Sequence, residues 1–355
     1  AEDALGTTEP LHAVLTTRWL AARGIPVAPG AALLASHEPP TGPALPLADR
    51  TGAPPSYAER HAILVAWARA LRGQASVLTR CLVEEVRKPR RLARDEITRA
   101  INHVETACRL FPDAETRLDP TTRIRYRPRG RVAVITPWNN PVAIPAGKLA
   151  PALLFGNRVL WKPSPRTPRA TALLTSSLRE VGVPPEALAV VEADGRETRA
   201  LIASTDLDAV TVTGSLATGR WIEALCAARG VPFQAELGGN NGAVIGSDVD
   251  LPVVMQRVAE AAFGFAGQRC TAIRRLIVRP ADRAMALEAL GQATRALSPC
   301  DSDDEDAIVG PLIDDQAARR LERVIEDACA RGALLHAGGH AAPGRSPAWF
   351  LPTVL

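Results

Sequence analysis

The sequence predicts an α/β fold with a doubly wound parallel sheet. From residue 131 onward, short runs rich in β-branched residues alternate with helical segments, and such alternation gives a parallel sheet that is covered by helices. Three of the predicted strands end in tight, polar sequences, at residues 136–139, 162–164 and 213–215. Ligands of doubly wound sheets bind beside the carboxyl ends of the strands. These three sequences therefore predict a binding site.

The composition is that of a soluble globular protein. The chain has 355 residues, of which 46% are hydrophobic and 23% are charged, and this length suits two domains or one large one. The net charge of +4 comes from basic residues spread along the chain, which does not favour nucleic-acid binding. No apolar run approaches the roughly 18 residues that span a bilayer, and no stretch resembles a secretory signal. We therefore predict a cytoplasmic protein that binds neither nucleic acid nor a membrane.

The first part of the chain contains no predicted sheet. Residues 1–55 are rich in Ala, Pro and Gly, so we expect a poorly defined segment with little regular structure. Ser56 is a predicted helix cap, and apolar residues follow it at helical spacing. A second helix is predicted to follow Lys88-Pro89 and to end near Leu110. We expect these helices to serve packing and no chemistry.

The strands and helices of the sheet follow in alternation, with β-branched runs indicating strands and Gly or Pro marking helix ends. Strands are predicted at residues 132–135, 158–161, 188–191 and 209–213, and helices at residues 142–155, 168–181, 197–203 and 217–229. Beyond Gly238, strands are predicted at residues 243–245 and 273–278, and helices at residues 251–265, 282–297 and 315–331.

Two composition details single out individual residues. Only three lysines, Lys88, Lys148 and Lys162, occur among the 42 basic residues, so a lysine indicates a position that needs a compact ammonium group. The six cysteines are scattered, without a Cys-x-x-Cys pair or a histidine at ligand spacing. This pattern predicts free thiols and no metal site.

Three residues are candidates for covalent chemistry. Cys270 follows Gly-Gln-Arg at a helix–loop junction that can expose a thiol, and a thiolate is a strong nucleophile. Glu236 precedes Gly238 and Gly239 at a strand end, where a carboxylate can act as a base towards water. Asn139 follows a strand and can donate to a developing oxyanion, as can the N–H of Cys270. Taken singly, each residue is better explained by a structural role.

Five short motifs occur in an order that favours a chemical role over a structural role for these three residues. Thr-Pro-Trp-Asn, Lys-Pro-Ser, Thr-Gly-Ser, Glu-Leu-Gly-Gly and Gly-Gln-x-Cys occur in this order across residues 136–270, and 34 residues separate Glu236 from Cys270. This series resembles the aldehyde dehydrogenase superfamily, and residues 309–313 and 350–355 resemble further segments of it. The resemblance covers about residues 56–355 and favours the chemical roles.

The resemblance also implies a more detailed fold. It implies a Rossmann-like dinucleotide-binding domain over residues 56–237, in the aldehyde dehydrogenase fold, and a second α/β domain over residues 238–355 that carries the nucleophile. The second domain is expected to be incomplete, because the family continues for a further segment that includes the strand used for oligomerisation. A homo-oligomer is expected from the family, although that strand is missing here.

The reaction implied by the resemblance is the oxidation of a small-molecule aldehyde to a carboxylic acid. Cys270 would attack the aldehyde carbon, and Asn139 with the Cys270 N–H would hold the oxyanion. Hydride would pass to the nicotinamide, and Glu236 would activate the water that releases the acid. Lys148 resembles a family lysine that lines the site, and we count it among the catalytic residues.

The cofactor implied by the resemblance is NADP or NAD. Lys162 resembles the lysine that binds the adenosine ribose, and Gly214 and Ser215 begin a helix whose amides would face the pyrophosphate. Pro165 stands where many NAD-preferring members have a glutamate, so a 2′-phosphate would not be repelled, and Ser164 or Arg166 would approach it. The other residues expected around the cofactor are Thr136, Pro137, Trp138, Gly219, Leu237 and Gly238.

Two motifs narrow the substrate class. Gly-Gly-Asn-Asn and Gly-Gln-Arg-Cys-Thr are shared with the family members that act on N-succinylglutamate semialdehyde, which suggests an amino-acid-derived or dicarboxylic semialdehyde. Arg269 would then meet a carboxylate, or it is a surface cation. Three alternatives stay open: a CoA-acylating dehydrogenase, a catalytically impaired nucleotide-binding remnant, and a cysteine esterase.

Overall fold

The computed structural model describes residues 55–110 and 115–355. The prediction of little regular structure in residues 1–55 therefore lies outside the described residues, apart from residue 55. Within the described part, every helix is too short or too polar to cross a membrane.

Three helices begin the described part: α1 (Tyr57–Gly73), α2 (Ala75–Val86) and α3 (Arg90–Leu110). Ser56 caps α1 as predicted, because its Oγ accepts the N–H of Glu59 while its own N–H donates to the Glu59 carboxylate at 2.7 Å. The helix predicted to precede Lys88 is two helices, because the chain leaves helical geometry at Gln74, between α1 and α2.

Five parallel strands form the main sheet. They are β3 (Arg131–Ile135), β4 (Arg158–Lys162), β5 (Leu188–Val190), β6 (Ala209–Gly214) and β7 (Phe233–Leu237), in the order β5-β4-β3-β6-β7. The helices between them are α4 (Ala143–Leu154), α5 (Pro168–Glu180), α6 (Gly195–Ser204) and α7 (Leu216–Ala228). An antiparallel hairpin of β1 (Glu115–Arg117) and β2 (Arg123–Arg125) precedes the sheet and was not predicted. The doubly wound α/β fold is confirmed.

Helices cover both faces of this sheet. Val132 and Val134 of β3 pack with α1 to α5 in one apolar cluster. Ala133 and Ile135 point to the opposite face and pack with α6 and α7 in a second cluster. This division follows from the alternation of side chains along a strand, and it explains why the buried strands read as continuous apolar runs.

A smaller α/β region follows the main sheet. Its strands β8 (Asn241–Val244) and β9 (Ile273–Ile277) are parallel. Helices α8 (Leu251–Phe263) and α9 (Arg283–Ala296) share an apolar cluster with this strand pair, and α10 (Asp315–Ala330) packs against a separate apolar cluster near the end of the chain. The strands and helices predicted here are confirmed, whereas the division into domains at residues 237 and 238 stays a prediction.

Candidate active site

The polar strand ends lie along one edge of the main sheet. Parallel register places Ile135 beside Lys162, and Gly214 beside Leu237. Thr136 continues the edge, since its N–H donates to the Lys162 carbonyl at 3.1 Å and its hydroxyl accepts the indole N–H of Trp161 at 3.0 Å. Residues that are far apart in the sequence are thereby brought together at the carboxyl ends of four strands.

Helix α7 begins at this edge and packs closely against β7. Ser215 caps the helix, because its Oγ accepts the N–H of Thr218 at 3.2 Å. Gly219 lies one turn later and is buried. A Cβ at Gly219 would lie 2.6 Å from Leu237 Cδ1 and 3.0 Å from Leu237 Cγ. A larger residue at position 219 would therefore have to displace the Leu237 side chain or the first turn of α7.

The sequence analysis expected Ser164 or Arg166, just after β4, to approach a 2′-phosphate. In the structure both side chains already make other hydrogen bonds. Lys162 is half-buried, and burial lowers its pKa against the opposing effect of Asp194. Ser164 is buried, and its hydroxyl accepts the N–H of Arg166 at 3.2 Å. The Arg166 guanidinium donates to Asp314 at 2.6 Å. Pro165 is exposed. This turn therefore presents no carboxylate, and its arginine is already paired with Asp314.

A strained loop carries the predicted nucleophile. Phe265, Ala266 and Gly267 have φ angles of 57°, 52° and 67°, the left-handed region that residues with a Cβ seldom occupy. The Phe265 N–H donates to the Ile308 carbonyl at 2.8 Å. Gln268 also holds the loop in place, because its Oε1 accepts the backbone N–H of Ile313 at 2.8 Å. Strain of this kind persists only where the surroundings enforce it, and it clusters at functional sites.

Cys270 is the exposed thiol among the six cysteines. Burial raises the pKa of Cys81 to about 12 and also raises the pKa values of Cys108 and Cys226. Because the thiolate is the reactive form, those three side chains are poor nucleophiles. In the described part of the chain, no three His, Cys, Asp or Glu side chains are grouped as metal ligands would be.

Two asparagines hold the backbone on either side of Cys270. The Asn139 Nδ2 donates to the Gln268 carbonyl at 2.8 Å, so the predicted oxyanion donor contacts the nucleophile loop. The Asn241 Nδ2 donates to the carbonyl of Cys270 at 2.7 Å and to that of Ala272 at 2.9 Å. Asn139 Oδ1 is buried and has no hydrogen-bond partner in the described residues. The Nδ2 contact therefore sets the orientation of this amide.

A hydrogen-bonded chain connects Lys148 to Glu236. The Lys148 ammonium donates to the Thr211 hydroxyl at 2.6 Å and to Gln234 Oε1 at 3.0 Å. Gln234 Nε2 donates to a Glu236 carboxylate oxygen at 3.0 Å. Burial lowers the pKa of Lys148 to about 8, although Glu236 raises it.

The strand end after Glu236 contacts the loop of the nucleophile. A Cβ placed on Gly239 would lie 3.6 Å from the backbone oxygen of Cys270. Glu236 itself is exposed, so its carboxylate is open to water. The Cys270 loop is thus bonded to Asn139, which follows β3, and to Asn241, which begins β8, whereas the Glu236 carboxylate accepts its hydrogen bond from Gln234.

A buried ion pair lies behind Asn139 and was missed by the sequence analysis, which assigned only packing to these helices. Lys88 follows α2 and Glu96 lies on α3, and their ammonium and carboxylate are in direct contact. The Lys88 Nζ also donates to the backbone carbonyl of Asn139 at 2.6 Å and to Asn140 Oδ1 at 3.0 Å. One signal was available, because Glu96 interrupts the otherwise apolar buried stripe of α3.

Arg269 is held by the end of a helix. Its Nη2 donates to the Ala261 carbonyl at 2.7 Å, near the end of α8, and burial lowers its pKa. The same side chain lines a cavity of about 380 Å³ together with Lys88 and Arg99. Arg269 is thus not a free surface cation, because one of its nitrogens is bonded to the backbone of α8.

Comparisons with known proteins agree with this geometry. Residues 52–355 match the Aldehyde dehydrogenase family. The chain is 35% identical over 275 residues to N-succinylglutamate 5-semialdehyde dehydrogenase of Escherichia coli, a match that covers 75% of this chain and 56% of the relative. The chain therefore spans little more than half the length of this curated relative.

Solved structures show the same likeness. Aldehyde dehydrogenase C of Pseudomonas syringae, a mutant in complex with NAD+ and octanal, matches with a TM-score of 0.79 and 26% identity over 84% of this chain and 63% of that one. The NADP-dependent glyceraldehyde-3-phosphate dehydrogenase of Bacillus halodurans, complexed with NADP, matches with a TM-score of 0.76 and 27% identity over 84% of this chain and 64% of that one. The extent of the family match, the relative's identity and the site's geometry together place this chain in the aldehyde dehydrogenase family.

Proposed function

We propose that this chain oxidises an aldehyde to a carboxylic acid with NADP or NAD, through a covalent intermediate on Cys270. One observation carries the proposal. The exposed Cys270 lies on a strained loop that accepts hydrogen bonds from the Asn139 amide and from Asn241, which begins the strand after Glu236. A nucleophile, an oxyanion donor and a base are the three groups that acyl chemistry through a thioester requires.

The sheet edge suits a dinucleotide. The close approach of Gly219 to Leu237 brings the amides at the start of α7 beside the ends of β6 and β7, where they would bind the pyrophosphate. Lys162 would bind the adenosine ribose, and Thr136, Pro137, Trp138 and Gly238 would line the remaining site. When bound, the nicotinamide supplies the hydride acceptor.

Cys270 would add to the aldehyde carbon as the thiolate and form a thiohemiacetal. The Nδ2 of Asn139 has two hydrogens, and Gln268 accepts one of them, so the other is available to the oxyanion together with the Cys270 N–H. Loss of hydride leaves a thioester. Glu236 would take a proton from water, which then attacks the thioester and releases the carboxylic acid and the thiolate.

Lys148 would support the hydrolysis step. A pKa of about 8 allows this amine to hold or release a proton near neutral pH. The chain through Gln234 gives it a connection to the base. We therefore assign Lys148 a supporting role, in which it orients the Gln234 amide that donates to Glu236 and adds a positive charge near the base.

A semialdehyde with a carboxylate is the favoured substrate class. Arg99 and Arg269 line the cavity beside the nucleophile loop, and the E. coli relative is named for N-succinylglutamate 5-semialdehyde. Both cofactors are expected to bind, because Pro165 carries no carboxylate that would repel a 2′-phosphate. Assembly into a homo-oligomer and a location in the cytoplasm stay predictions.

The test is a screen of semialdehydes with NAD and NADP, followed by the absorbance of the reduced nicotinamide. Wild type should form product without CoA, Cys270→Ala should lose at least about 1,000-fold in kcat/KM because the covalent route is removed, and Cys300→Ala should match wild type. A product that requires CoA would show the acylating alternative instead. Cofactor binding without any aldehyde-dependent reduction would refute the proposal and favour the nucleotide-binding remnant.

A further inference from the structure

Two of the three donors of a buried lysine contact the turn that carries Asn139. Lys88 is 2% exposed. Its ammonium has three N–H donors, and the acceptors are the Glu96 carboxylate, the Asn139 carbonyl and the Asn140 side-chain oxygen. Each acceptor takes one hydrogen, so the ammonium is fully satisfied. The other two lysines do not reach this turn, because Lys148 on α4 donates to Thr211 and Gln234 and Lys162 ends β4.

Glu96 holds the other end of the same turn. Its second carboxylate oxygen accepts the N–H groups of Val142 and Ala143, at 2.9 and 3.1 Å. Helix α4 starts there without a capping side chain of its own. A carboxylate from α3 therefore supplies the cap, and it is a favourable charge at a helix N-terminus.

Lys88 also contacts the loop of the nucleophile. Its Nζ lies 4.7 Å from the centroid of the Phe265 ring, within the range of a cation–π interaction. Phe265 is fully buried and left-handed, with φ of 57°, and it lies five residues before Cys270. One ammonium therefore touches both the Asn139 turn and the Cys270 loop.

Stability does not explain this arrangement. A buried ion pair costs desolvation, and an apolar pair of similar volume is often as stable or more so. What the ion pair supplies is geometry. Its hydrogen bonds fix the turn of Asn139, and its cation–π contact with Phe265 meets the nucleophile loop. The two segments are those that carry the two oxyanion donors.

We propose that Lys88 and Glu96 are positioning residues that hold the Asn139 amide and the Cys270 N–H at the spacing a tetrahedral oxyanion needs. The inference rests on the proposed function for the identity of these donors. These two residues lie behind the proposed donors. Lys88 follows α2 and contacts Phe265 of the nucleophile loop, and Glu96 lies on α3.

The test compares two reactions of the same thiol in the full chain. Acylation of Cys270 by p-nitrophenyl acetate passes through an oxyanion, whereas alkylation by iodoacetamide does not. The variant is Lys88→Met with Glu96→Gln, which removes both charges together and keeps an oxygen for the Val142 and Ala143 amides. The control is Arg72→Ala with Glu105→Ala, an ion pair of 2.7 Å whose side chains are 57% and 46% exposed.

The variant should lose about 30- to 100-fold in the acylation rate, because displacement of a group by about 1 Å can cost 100-fold. Alkylation of Cys270, followed by mass spectrometry of its peptide, should stay within about twofold, since it needs no oxyanion donor. The control should leave both rates unchanged. A lowered melting temperature alone does not alter the ratio of the two rates.

Equal losses in both reactions would show a merely structural role and would overturn the proposal. An unchanged acylation rate, or a wild-type chain that p-nitrophenyl acetate fails to acylate at Cys270, would overturn it as well. A wild type without aldehyde oxidation, whose acylation still falls selectively in the variant, would refute the proposed function and uphold this inference.

Discussion

The substitution Gly219→Ala tests whether close packing at the start of α7 builds the cofactor site. The new methyl group would lie 2.6 Å from Leu237 Cδ1, about 1 Å inside the ordinary contact distance of roughly 3.5–4.0 Å. Overpacking of this kind costs about 1–3 kcal/mol. The better helix propensity of alanine returns about 0.5–1 kcal/mol, so we expect a net loss of about 1–2 kcal/mol in the free energy of unfolding.

The same strain should weaken cofactor binding, because relief of the clash moves the first turn of α7 away from β7. The displaced helix must return to its original position when NADP binds. If that return costs about 1.4 kcal/mol, the Kd for NADP rises about tenfold. Urea unfolding measures the stability, and titration of tryptophan fluorescence with NADP measures the Kd. Trp138 lies at the same sheet edge and is half-buried, so it can report on binding.

Gly195→Ala is the matched control. It also lies in the first turn of a helix, and a Cβ there meets no atom within 4 Å, so the free energy of unfolding should rise by about 0.4–1 kcal/mol. The double variant Gly219→Ala with Leu237→Ala should recover at least about 0.5 kcal/mol relative to the sum of the single effects, because contacting residues couple. Wild-type stability and wild-type Kd in Gly219→Ala, or strictly additive effects in the cycle, would refute the reasoning.

Two further predictions concern charge and capping. The pKa of Lys148 is lowered to about 8 from 10.5, so the unfolded state binds more protons between these values and the free energy of unfolding should rise with pH there. Relative to Lys148→Met, wild type should therefore gain stability from pH 8 to 10.5 in urea titrations, and a flat difference would contradict the burial of this ammonium. Ser56→Ala should cost about 1 kcal/mol of stability through the lost cap of α1 with an unchanged rate of Cys270 alkylation. A loss below about 0.3 kcal/mol would show that the cap contributes little.

The sheet could be predicted because its signal is local. The strands β3 and β4 are mostly buried apolar runs, and the helices repeat their apolar positions every three to four residues. The strand β7 instead alternates half-buried with exposed side chains. The hairpin of β1 and β2 escaped prediction because its β2 side chains are exposed, so no alternation marks it. The break between α1 and α2 was not predicted either, because apolar residues continue at helical spacing on both sides of Gln74.

The assignment of chemistry to Asn139, Glu236 and Cys270 stays a prediction. Its structural support is local, because the Asn139 amide donates to the loop that carries Cys270. The expectation that Arg166 is free for a 2′-phosphate differs from the structure, because Asp314 occupies its guanidinium. That partner is 148 residues away, and no local pattern indicates it.

Local patterns were enough to predict the order of strands and helices in the main sheet and to nominate Cys270, Glu236 and Asn139 as candidates for nucleophile, base and oxyanion donor. These follow from periodicity and residue chemistry over short stretches. Only the tertiary structure decided that Lys88 and Glu96 stand behind Asn139, that Gln234 joins Lys148 to Glu236, and that Gly219 makes room for Leu237. Hydrogen bonds and close contacts between distant segments depend on where the folded chain places its backbone, and that placement is a property of the whole packing.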